Sequence, residues 1–374
     1  MAGKGSRVTK KLALAVAALG AGTPAYAGGL ERTPQSMAVL FEDGRYLEFS
    51  FGYVDPNVSG DLTVAPTVTV NSGDMLSSYA NLGAAYKADL NESLSYALIF
   101  DQPYGANTAY PTGTPYPFAG STAEVKSNAL SGILQYNLDG GMSVYGGLRL
   151  QSLQAEAFLP PLGNYTITSN TDYQLGYLAG VAYERPDIAL RVALTYHSEV
   201  EHELDLTENS LSLIIAPAGE ETNTENVSMP QALNLEFQSG VAENTLVFGS
   251  VRWVEWSETV IDPTLYQNAA QPRPLVFFDD DRITYTLGLG RRLNETWSVL
   301  GSVSYEENTG SLTGNLGPTD GFASIGVGTV YTKDNVKITS GIRYVDVGDA
   351  TTFVNADFSG NSAIAAGVRV GYSF

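Results

Sequence analysis

The sequence predicts an all-β fold, namely a transmembrane, antiparallel, up-and-down β-barrel of about fourteen strands with a short N-terminal hatch segment. Three observations predict this fold: an export signal, a period-two alternation of apolar and polar residues, and a regular alternation of short and long connections. We therefore divide the chain into a signal peptide (1–27), a hatch segment (28–44) and a barrel with long extracellular loops (45–374).

The first 27 residues have the three parts of a secretory signal peptide. Four basic residues occur by Lys11, an apolar run spans Leu12 to Leu19, and Ala25-Tyr26-Ala27 is a small-residue cleavage site. The apolar run is shorter than the roughly 20 residues that a membrane-spanning helix needs, and no other stretch is apolar enough for one. We expect cleavage after Ala27, which leaves 347 of the 374 residues.

The remaining chain is strongly acidic and contains no cysteine. Because four of the 20 basic residues lie in the signal, 16 basic and 40 acidic residues give a net charge of −24. This charge argues against nucleic acid as a partner. We interpret it as a solvated loop surface; acidic loops that share divalent cations with lipopolysaccharide are the alternative. Disulfides do not hold this exported protein together, whereas a closed hydrogen-bonded barrel would.

Alternation is clearest at the C-terminus, where every second residue from Ile364 to Phe374 is apolar and the residues between are small or polar. Period two places the apolar residues on one face, which in a membrane barrel meets lipid while the other face lines the lumen. Aromatic residues near strand ends, Tyr46 and Trp297 among them, are expected to form interfacial girdles. With 364–374, the segments that alternate are 47–53, 78–88, 94–100, 124–138, 142–155, 173–183, 188–196, 230–240, 244–257, 283–290, 297–305, 321–332 and 335–346.

The connections between these segments alternate in length. An up-and-down barrel with both termini in the periplasm has tight turns on that side and long loops outside, whereas a Greek-key sandwich has no reason to keep this parity. The short turns lie at 89–92, 138–141, 184–187, 241–244, 292–295 and 333–335. The long connections lie near 55–76, 101–122, 156–171, 203–229, 258–281, 307–320 and 347–361.

Several segments resemble the FadL-type long-chain fatty-acid transporters of Gram-negative outer membranes. Ala193–Val200 reads ALTYHSEV and resembles the family's ALTYRSEV strand end, and Tyr53–Gly60 resembles its Y(I/V)DPDV passage. Trp253–Ser257 stands where the family has a Trp-Ser strand end, and Phe278–Asp280 resembles its F-x-D run before a strand. The order and spacing of these segments over residues 31–374 carry the resemblance.

The resemblance implies a barrel closed by a hatch, which passes hydrophobic molecules from an outer groove through internal sites to a side opening at a kinked third strand. One departure concerns the hatch, which is shorter here and reads Thr33-Pro34-Gln35 where the family has an NPA motif. The implied location is the outer membrane of a Gram-negative bacterium, with periplasmic termini and a monomeric state. The implied partners are a hydrophobic small molecule or fatty acid, outer-membrane lipid and lipopolysaccharide, and the barrel-assembly machinery during biogenesis.

The cargo that the resemblance implies first is a long-chain fatty acid. An aromatic-hydrocarbon channel of the same fold is the nearest alternative. A polar-solute porin, which a shortened plug would allow, and a structural or adhesive barrel are the other classes.

The third predicted strand runs into a sequence that should break its pairing. Pro103 cannot donate to the ladder and Gly105 relaxes the backbone, so a break or bulge is expected next to Phe100 and Tyr104. Two interpretations are open from the residues alone: a kink that forms a lateral opening, or the plain end of the strand. The resemblance favours the opening.

Two long connections are unusually apolar for segments that face solvent. Exposed apolar patches commonly mark binding sites, so we hypothesise a surface groove that captures an acyl chain. The alternative is that the two loops pack on each other and cap the barrel mouth. The groove candidates are Phe158, Leu159 and Leu162 in one loop and Leu211, Leu213, Ile214 and Ile215 in the other.

Arginines in the lumen phase of the strands are candidates for binding a carboxylate, because guanidinium groups bind it bidentately. Pairing with lumen acids is the alternative, which we expect for most of them. These candidates are Arg149, Arg191, Arg252, Arg343 and Arg369.

The sequence predicts no enzyme. The two histidines, His197 and His202, belong to no nucleophile–base motif, zinc spacing or phosphate loop. The acids from Glu199 to Asp205 around His202 are interpreted as a solvated loop base. No catalytic residue, metal or cofactor is therefore expected.

Overall fold

The computed structural model describes residues 29–211, 219–268 and 273–374. The predicted signal peptide, the hatch residue Gly28 and the groove candidates Leu213, Ile214 and Ile215 lie outside these residues. In the described part, fourteen antiparallel strands form the barrel, which confirms the predicted fold. The sheet closes on itself because strand 1 pairs with strand 14 as well as with strand 2. Numbered in chain order, the barrel strands are Tyr46–Asn57, Tyr79–Asp89, Leu94–Asp101, Thr122–Asn137, Met142–Leu159, Asp172–Arg185, Leu190–His197, Ala232–Ala242, Thr245–Val254, Arg282–Arg292, Trp297–Glu306, Phe322–Lys333, Val336–Val347 and Asn361–Ser373.

The alternation that predicted the strands also sets their two faces. On strand 10, Ile283, Tyr285 and Leu287 are exposed on the outer surface, where they meet lipid, whereas Thr286 lies inside and hydrogen-bonds to Ser304 of strand 11 (2.9 Å). A closed barrel pairs the backbone polar groups along its strands, which is what allows β-structure to cross a membrane. Among the described residues, no helix is long and apolar enough to span a bilayer.

The girdle prediction is wrong for Tyr46. Its position in the alternation of strand 1 is on the face that lines the lumen, so the side chain is buried inside the barrel. The ring lies against Gly371 of strand 14, where a Cβ atom would clash with it.

The six short turns connect neighbouring strands at the end where strand 1 begins and strand 14 finishes, as an up-and-down barrel requires. Asn244 and Asp334 supply the left-handed conformation (φ 57° and 52°) in the two shortest turns. Two other turns contain the short 3₁₀ segments Asp139–Gly141 and Pro186–Ile188.

The long extracellular connections contain regular structure that the sequence reasoning treated as loop. The most extensive element is a hairpin of Val200–Ser210 with Gly219–Met229. A small four-stranded sheet joins the first and last connections above the seam between strands 1 and 14. The further strands are Gly60–Ala65, Val68–Asn71, Gly105–Ala109, Tyr165–Ser169, Ala350–Thr351 and Ala356–Phe358, and the helical segments are the 3₁₀ turns Pro160–Leu162 and Trp256–Glu258 and the α-helix Thr264–Asn268.

These connections pack into a cap with an apolar core, of which Tyr104, Leu204 and Trp256 are buried members. One buried carboxylate, Glu208, ties three cap segments together. It accepts hydrogen bonds from the Tyr165 hydroxyl (2.8 Å) and from two backbone amides of the helix Thr264–Asn268 (3.2 Å each). The cap therefore has the packing and hydrogen bonding of a folded domain.

The hatch runs through the lumen from the cap to the periplasmic end. At its upper end Gly29 lies against the Trp256 ring, where a Cβ atom would clash. At its lower end the 3₁₀ turn Ala38–Phe41 buries Leu40 in a cluster with side chains of strands 1 to 7, including Ile133 and Tyr145. The hatch therefore fills the half of the lumen that these strands line.

The other half of the lumen is filled at the periplasmic level by side chains of the barrel itself. Leu246, Phe248, Leu300 and Val330 form a separate buried cluster on strands 9, 11 and 12, which we call the apolar quartet. Each lies within a few residues of a periplasmic turn. At this level the lumen thus contains two separate buried clusters, one formed with the hatch and one formed by the apolar quartet.

Candidate functional site

The third strand breaks at the position that its sequence predicts. It pairs with strand 2 as far as the pair Ala84–Phe100, and its ladder to strand 4 ends with Asp101 opposite Ala129. Pairing to strand 4 resumes at Gly105, opposite Lys126. Three residues therefore face two, which is the geometry of a bulge.

At the bulge the chain pairs with the hatch instead of with strand 2. Arg32 N donates to Pro103 O (2.7 Å) and Gly105 N donates to Leu30 O (2.8 Å), on either side of a bridge between Glu31 and Tyr104. Buried peptide groups need partners, and the hatch supplies the bonds that strand 2 no longer makes. The kinked segment is thus held inside the barrel.

A gap remains in the wall between strand 2 and the kinked segment, because Tyr79–Gly83 pairs with strand 1 but not with strand 3. A cavity of about 750 Å³, which includes the space open to the outside, passes through it. Its inner lining includes Gln35, Ser50, Arg149 and Arg369, and its outer lining consists of the exposed side chains Phe51, Leu82 and Phe100. We call this opening the lateral gap.

The predicted hatch residues link the kinked strand to the opposite wall. Thr33 Oγ1 donates to Asp101 Oδ2 (3.2 Å), and Pro34 O accepts from Asn234 Nδ2 of strand 8 (3.0 Å). Gln35 is buried in the left-handed conformation (φ 49°), and its side-chain oxygen accepts a hydrogen bond from Arg149. The hatch is therefore attached on both sides of the lumen.

Three of the predicted lumen arginines lie beside lumen acids. Arg149 Nη2 is 3.7 Å from Asp101 Oδ1, and Arg252 Nε donates to Glu31 Oε1 (2.7 Å). Arg369 Nε is 3.7 Å from Glu48 Oε1, too far for a hydrogen bond.

The remaining two arginines have other surroundings. The Arg191 guanidinium lies 4.6 Å from the centre of the Phe41 ring, a cation–π contact that fixes the lower end of the hatch. Arg343 lines a second lumen cavity of about 940 Å³, a volume that includes open space, together with Arg252, Arg369 and the hydroxyls of strands 9 to 11.

The sequence matches the family model described as outer membrane protein transport protein (OMPP1/FadL/TodX) over residues 9–351. The chain belongs to this family. A search of curated proteins finds no match. Family membership places the protein in the outer membrane of Gram-negative bacteria as a channel that transports hydrophobic molecules.

Solved structures support the fold at low identity. A FadL homologue of Pseudomonas aeruginosa is 13% identical with a TM-score of 0.71, and the match covers 90% of this chain and 92% of that one. The Pseudomonas putida toluene transporter TodX is 14% identical with a TM-score of 0.64, covering 95% and 98%. The monoaromatic hydrocarbon channel CymD is 13% identical with a TM-score of 0.58, covering 89% of each chain.

The loop residues predicted to line a capture groove in this OMPP1/FadL/TodX member occupy different environments. Leu159 is 2% exposed inside the cap core, so its assignment to a surface groove is wrong. Leu162 packs against that core, and Phe158 is half-buried at the end of strand 5. Leu211 is 77% exposed, although its backbone N–H donates to Gly163 O (3.1 Å) of the other loop. The two loops thus contact each other while part of the apolar surface stays open.

Sequence reasoning missed Gln102, whose side chain spans the lateral gap. Its Oε1 accepts from the backbone N–H of Leu82 (2.8 Å), and its Nε2 donates to Asn128 Oδ1 (3.1 Å). The available signal was a polar residue in the lipid phase of strand 3, directly after the apolar Leu98 and Phe100.

Neither histidine of this OMPP1/FadL/TodX member belongs to a metal cluster in the part of the chain that the structure describes. His197 is buried in the lumen. His202 is buried in the extracellular hairpin, with Nδ1 2.9 Å from Asp172 Oδ2. Burial lowers the pKa of His202 below its usual value, and Asp172 offsets only part of that shift.

Proposed function

We propose that this protein takes up long-chain fatty acids, which are captured at the extracellular loops, enter the lumen and leave through the lateral gap into the membrane. The observation that carries the proposal is the gap itself, between strand 2 and the kinked segment after Asp101. An opening whose outer lining is exposed to lipid suits a cargo that partitions into lipid. A polar solute would need a route to the periplasm, where the hatch and the apolar quartet fill the lumen.

The lining of the gap cavity suits an amphiphile with an anionic head. Arg149 and Arg369 lie at its inner side, each 3.7 Å from an acid of the same lining (Asp101 and Glu48), and Phe51, Leu82 and Phe100 lie at its outer side. Arg369 Nε is buried without a hydrogen-bond partner. Since a guanidinium group binds a carboxylate strongly, a fatty acid would place its head near Arg369 and its chain towards the gap.

Capture is assigned to the loops 156–171 and 203–229. Leu211 offers exposed apolar surface there, and Leu162 and Phe158 are partly accessible beside it. The predicted residues Leu213, Ile214 and Ile215 lie outside the described residues and stay candidates from the sequence. Leu159 takes part only as core beneath it.

Aromatic hydrocarbons are the second candidate cargo. TodX is described as a toluene transporter and CymD as a monoaromatic hydrocarbon channel, and both share the fold. A neutral ring has no group that needs Arg369, so this residue separates the two proposals.

The test is growth of a transporter-deficient host on a long-chain fatty acid, paired with uptake of labelled fatty acid and of toluene. We expect the wild-type gene to restore growth and Arg369→Gln to lower fatty-acid uptake about tenfold or more, as for the loss of one charge-assisted contact. Arg291→Gln is the matched control, because Arg291 is exposed near a periplasmic turn. Toluene uptake that is insensitive to Arg369→Gln, without growth on fatty acid, would instead support the aromatic cargo. An inserted barrel that takes up neither compound would refute both.

A further inference from the structure

We propose that Gln102 is a side-chain latch across the lateral gap, which bridges the two edges of the gap at rest and limits the width of the cargo that leaves. This inference rests on the proposed lateral exit and names a residue that controls it. The observations that carry it are two hydrogen bonds of one amide side chain, which join strand 2 to strand 4 past the kink.

The register of the barrel explains why this side chain reaches strand 2. Strands 2 and 3 pair regularly from Asp89–Ser95 to Ala84–Phe100. Continued by two residues, that register would place Gln102 opposite Leu82. The backbone has already turned inward at Pro103, whose carbonyl bonds to the hatch. The Gln102 Oε1 atom, at 2.8 Å from Leu82 N, therefore takes the place of the lost ladder acceptor.

The other end of the amide is fixed to the next strand. Gln102 Nε2 donates to Asn128 Oδ1 on strand 4 (3.1 Å). Asn128 N donates to Ser152 Oγ on strand 5 (3.1 Å), so the anchor is itself held. One side chain thus connects the free edge of strand 2 to the continuous part of the wall.

The depth in the membrane gives this contact its importance. Asn128 pairs with Ser152, which pairs on its other side with Tyr173, a 62% exposed aromatic residue of strand 6. Exposed aromatic residues at strand ends mark the membrane interface, so the latch lies at the outer rim of the hydrocarbon. An unpaired peptide N–H is unfavourable there, which gives a physical reason for a glutamine among lipid-facing residues.

The latch can open without movement of the backbone. Two side-chain hydrogen bonds break by rotation of the glutamine, whereas a paired strand would have to separate along its length. On the inner side of the gap Gly83 leaves room for the Ser50 side chain, because a Cβ atom there would lie 2.5 Å from Ser50 Oγ. The Gln102 side chain is therefore positioned to decide how wide a molecule passes.

The first test replaces Gln102 with leucine, which has a similar size and no hydrogen-bonding group. We expect amide exchange at Leu82 to rise about tenfold or more, because a protecting hydrogen bond is lost. We also expect uptake of a fatty acid with a bulky pyrenyl end to rise relative to that of the plain chain. Gln154→Leu on strand 5 is the matched control and should change neither reading. Unchanged exchange at Leu82 together with an unchanged preference for narrow cargo would overturn the latch.

The second test separates the latch from the exit. The chain has no cysteine, so the double variant Leu82→Cys/Gln102→Cys can be joined by a short reducible thiol cross-linker. We expect joining to stop uptake and reduction to restore it, whereas the pair Tyr86→Cys/Leu98→Cys, where the strands already meet away from the gap lining, should have no effect. Uptake that persists through the 82–102 cross-link would refute the lateral exit. A blocked exit with no effect of Gln102→Leu would refute the latch alone, and failure to cross-link would contradict the proximity on which it rests.

Discussion

Replacing Glu208 with leucine should release the helix Thr264–Asn268 from the extracellular cap. The carboxylate is fully buried and accepts hydrogen bonds from the Tyr165 hydroxyl and the amides of Leu265 and Tyr266, with a longer contact from Asn223. Burial and the nearby Glu208 carboxylate raise the pKa of Tyr165 well above its usual value, so its hydroxyl keeps the proton that it donates. All of these donors lose their acceptor in Glu208→Leu.

The size of the effect follows from two opposing terms. Three buried donors left without a partner cost about 1.5 kcal/mol each, or about 4–5 kcal/mol in all. Removal of the buried carboxylate stabilises the folded cap by about 2 kcal/mol, because folding no longer has to desolvate that group. The net loss of about 2–3 kcal/mol corresponds to a rise of about 30- to 150-fold in the opening of the helix.

Hydrogen exchange measured by mass spectrometry on peptides that cover Leu265 and Tyr266 reads this opening directly. Glu203→Leu is the matched control, since Glu203 is exposed on the same strand. Tyr165→Phe removes one donor and should produce a smaller increase. Exchange at Leu265 and Tyr266 that matches the wild type in Glu208→Leu would refute the assignment of Glu208 as the tie between these segments.

Three further predictions concern the hairpin, the hatch and the lipid face. Since burial lowers the pKa of His202, its contribution to hairpin stability is complete above the unfolded pKa of about 6.5 and is lost as pH falls below it. Hairpin opening, obtained from exchange after correction for the intrinsic pH dependence of amide exchange, should rise from pH 7 to 5, and His202→Gln should flatten that rise. Arg149→Met leaves Asp101 and Gln35 without the guanidinium group that they contact. The free energy that holds the hatch in place should fall by about 3 kcal/mol, so amide exchange of the hatch should become faster, whereas Arg291→Gln should not change it. Leu287 lies at the middle of strand 10 and is 52% exposed on the outer surface. Leu287→Arg should lower the free energy of unfolding, measured with urea in lipid vesicles, by about 2–4 kcal/mol, and Leu287→Ile should lower it far less.

The barrel strands were predictable because a wall with lipid on one face and the lumen on the other requires apolar and polar residues to alternate. Leu47 to Tyr53 and Ile364 to Phe374 alternate strictly, and the structure pairs these two strands at the barrel seam. Short turns such as Glu243-Asn244 fixed the strand ends to within a few residues. Lipid on one side and a lumen on the other leave little freedom at these positions.

The extracellular hairpin was missed although Val200, Leu204 and Leu206 also alternate there. The residues between them are Glu201, Glu203 and other charged or polar residues, and this number of charges indicated a solvated loop. The cap core that buries the apolar residues comes from distant segments, such as the one that contains Trp256. Alternation alone could not reveal that this core exists.

From its residues alone the kinked strand was predictable as a break, and only the family resemblance favoured an opening. Pro103 and Gly105 signal disturbed pairing, yet they do not say where the chain goes next. The inward path depends on the hatch residues Leu30 and Arg32, which take up the freed backbone bonds. Leu159 was likewise predicted to be a surface residue, because the distant cap segments that bury it could not be recognised from its own loop.

The apolar quartet changes the task of the hatch. A plug that seals the whole lumen by itself must fill the lumen at rest and leave it when cargo passes, and these two requirements oppose each other. Here Phe248 and its three neighbours pack together on strands 9, 11 and 12, apart from the N-terminal segment. The lower end of the hatch packs beside strands 1 to 7, the half of the lumen next to the lateral gap. A barrel that is filled partly by its own side chains leaves less of the lumen for a hatch to seal, which suits a short hatch.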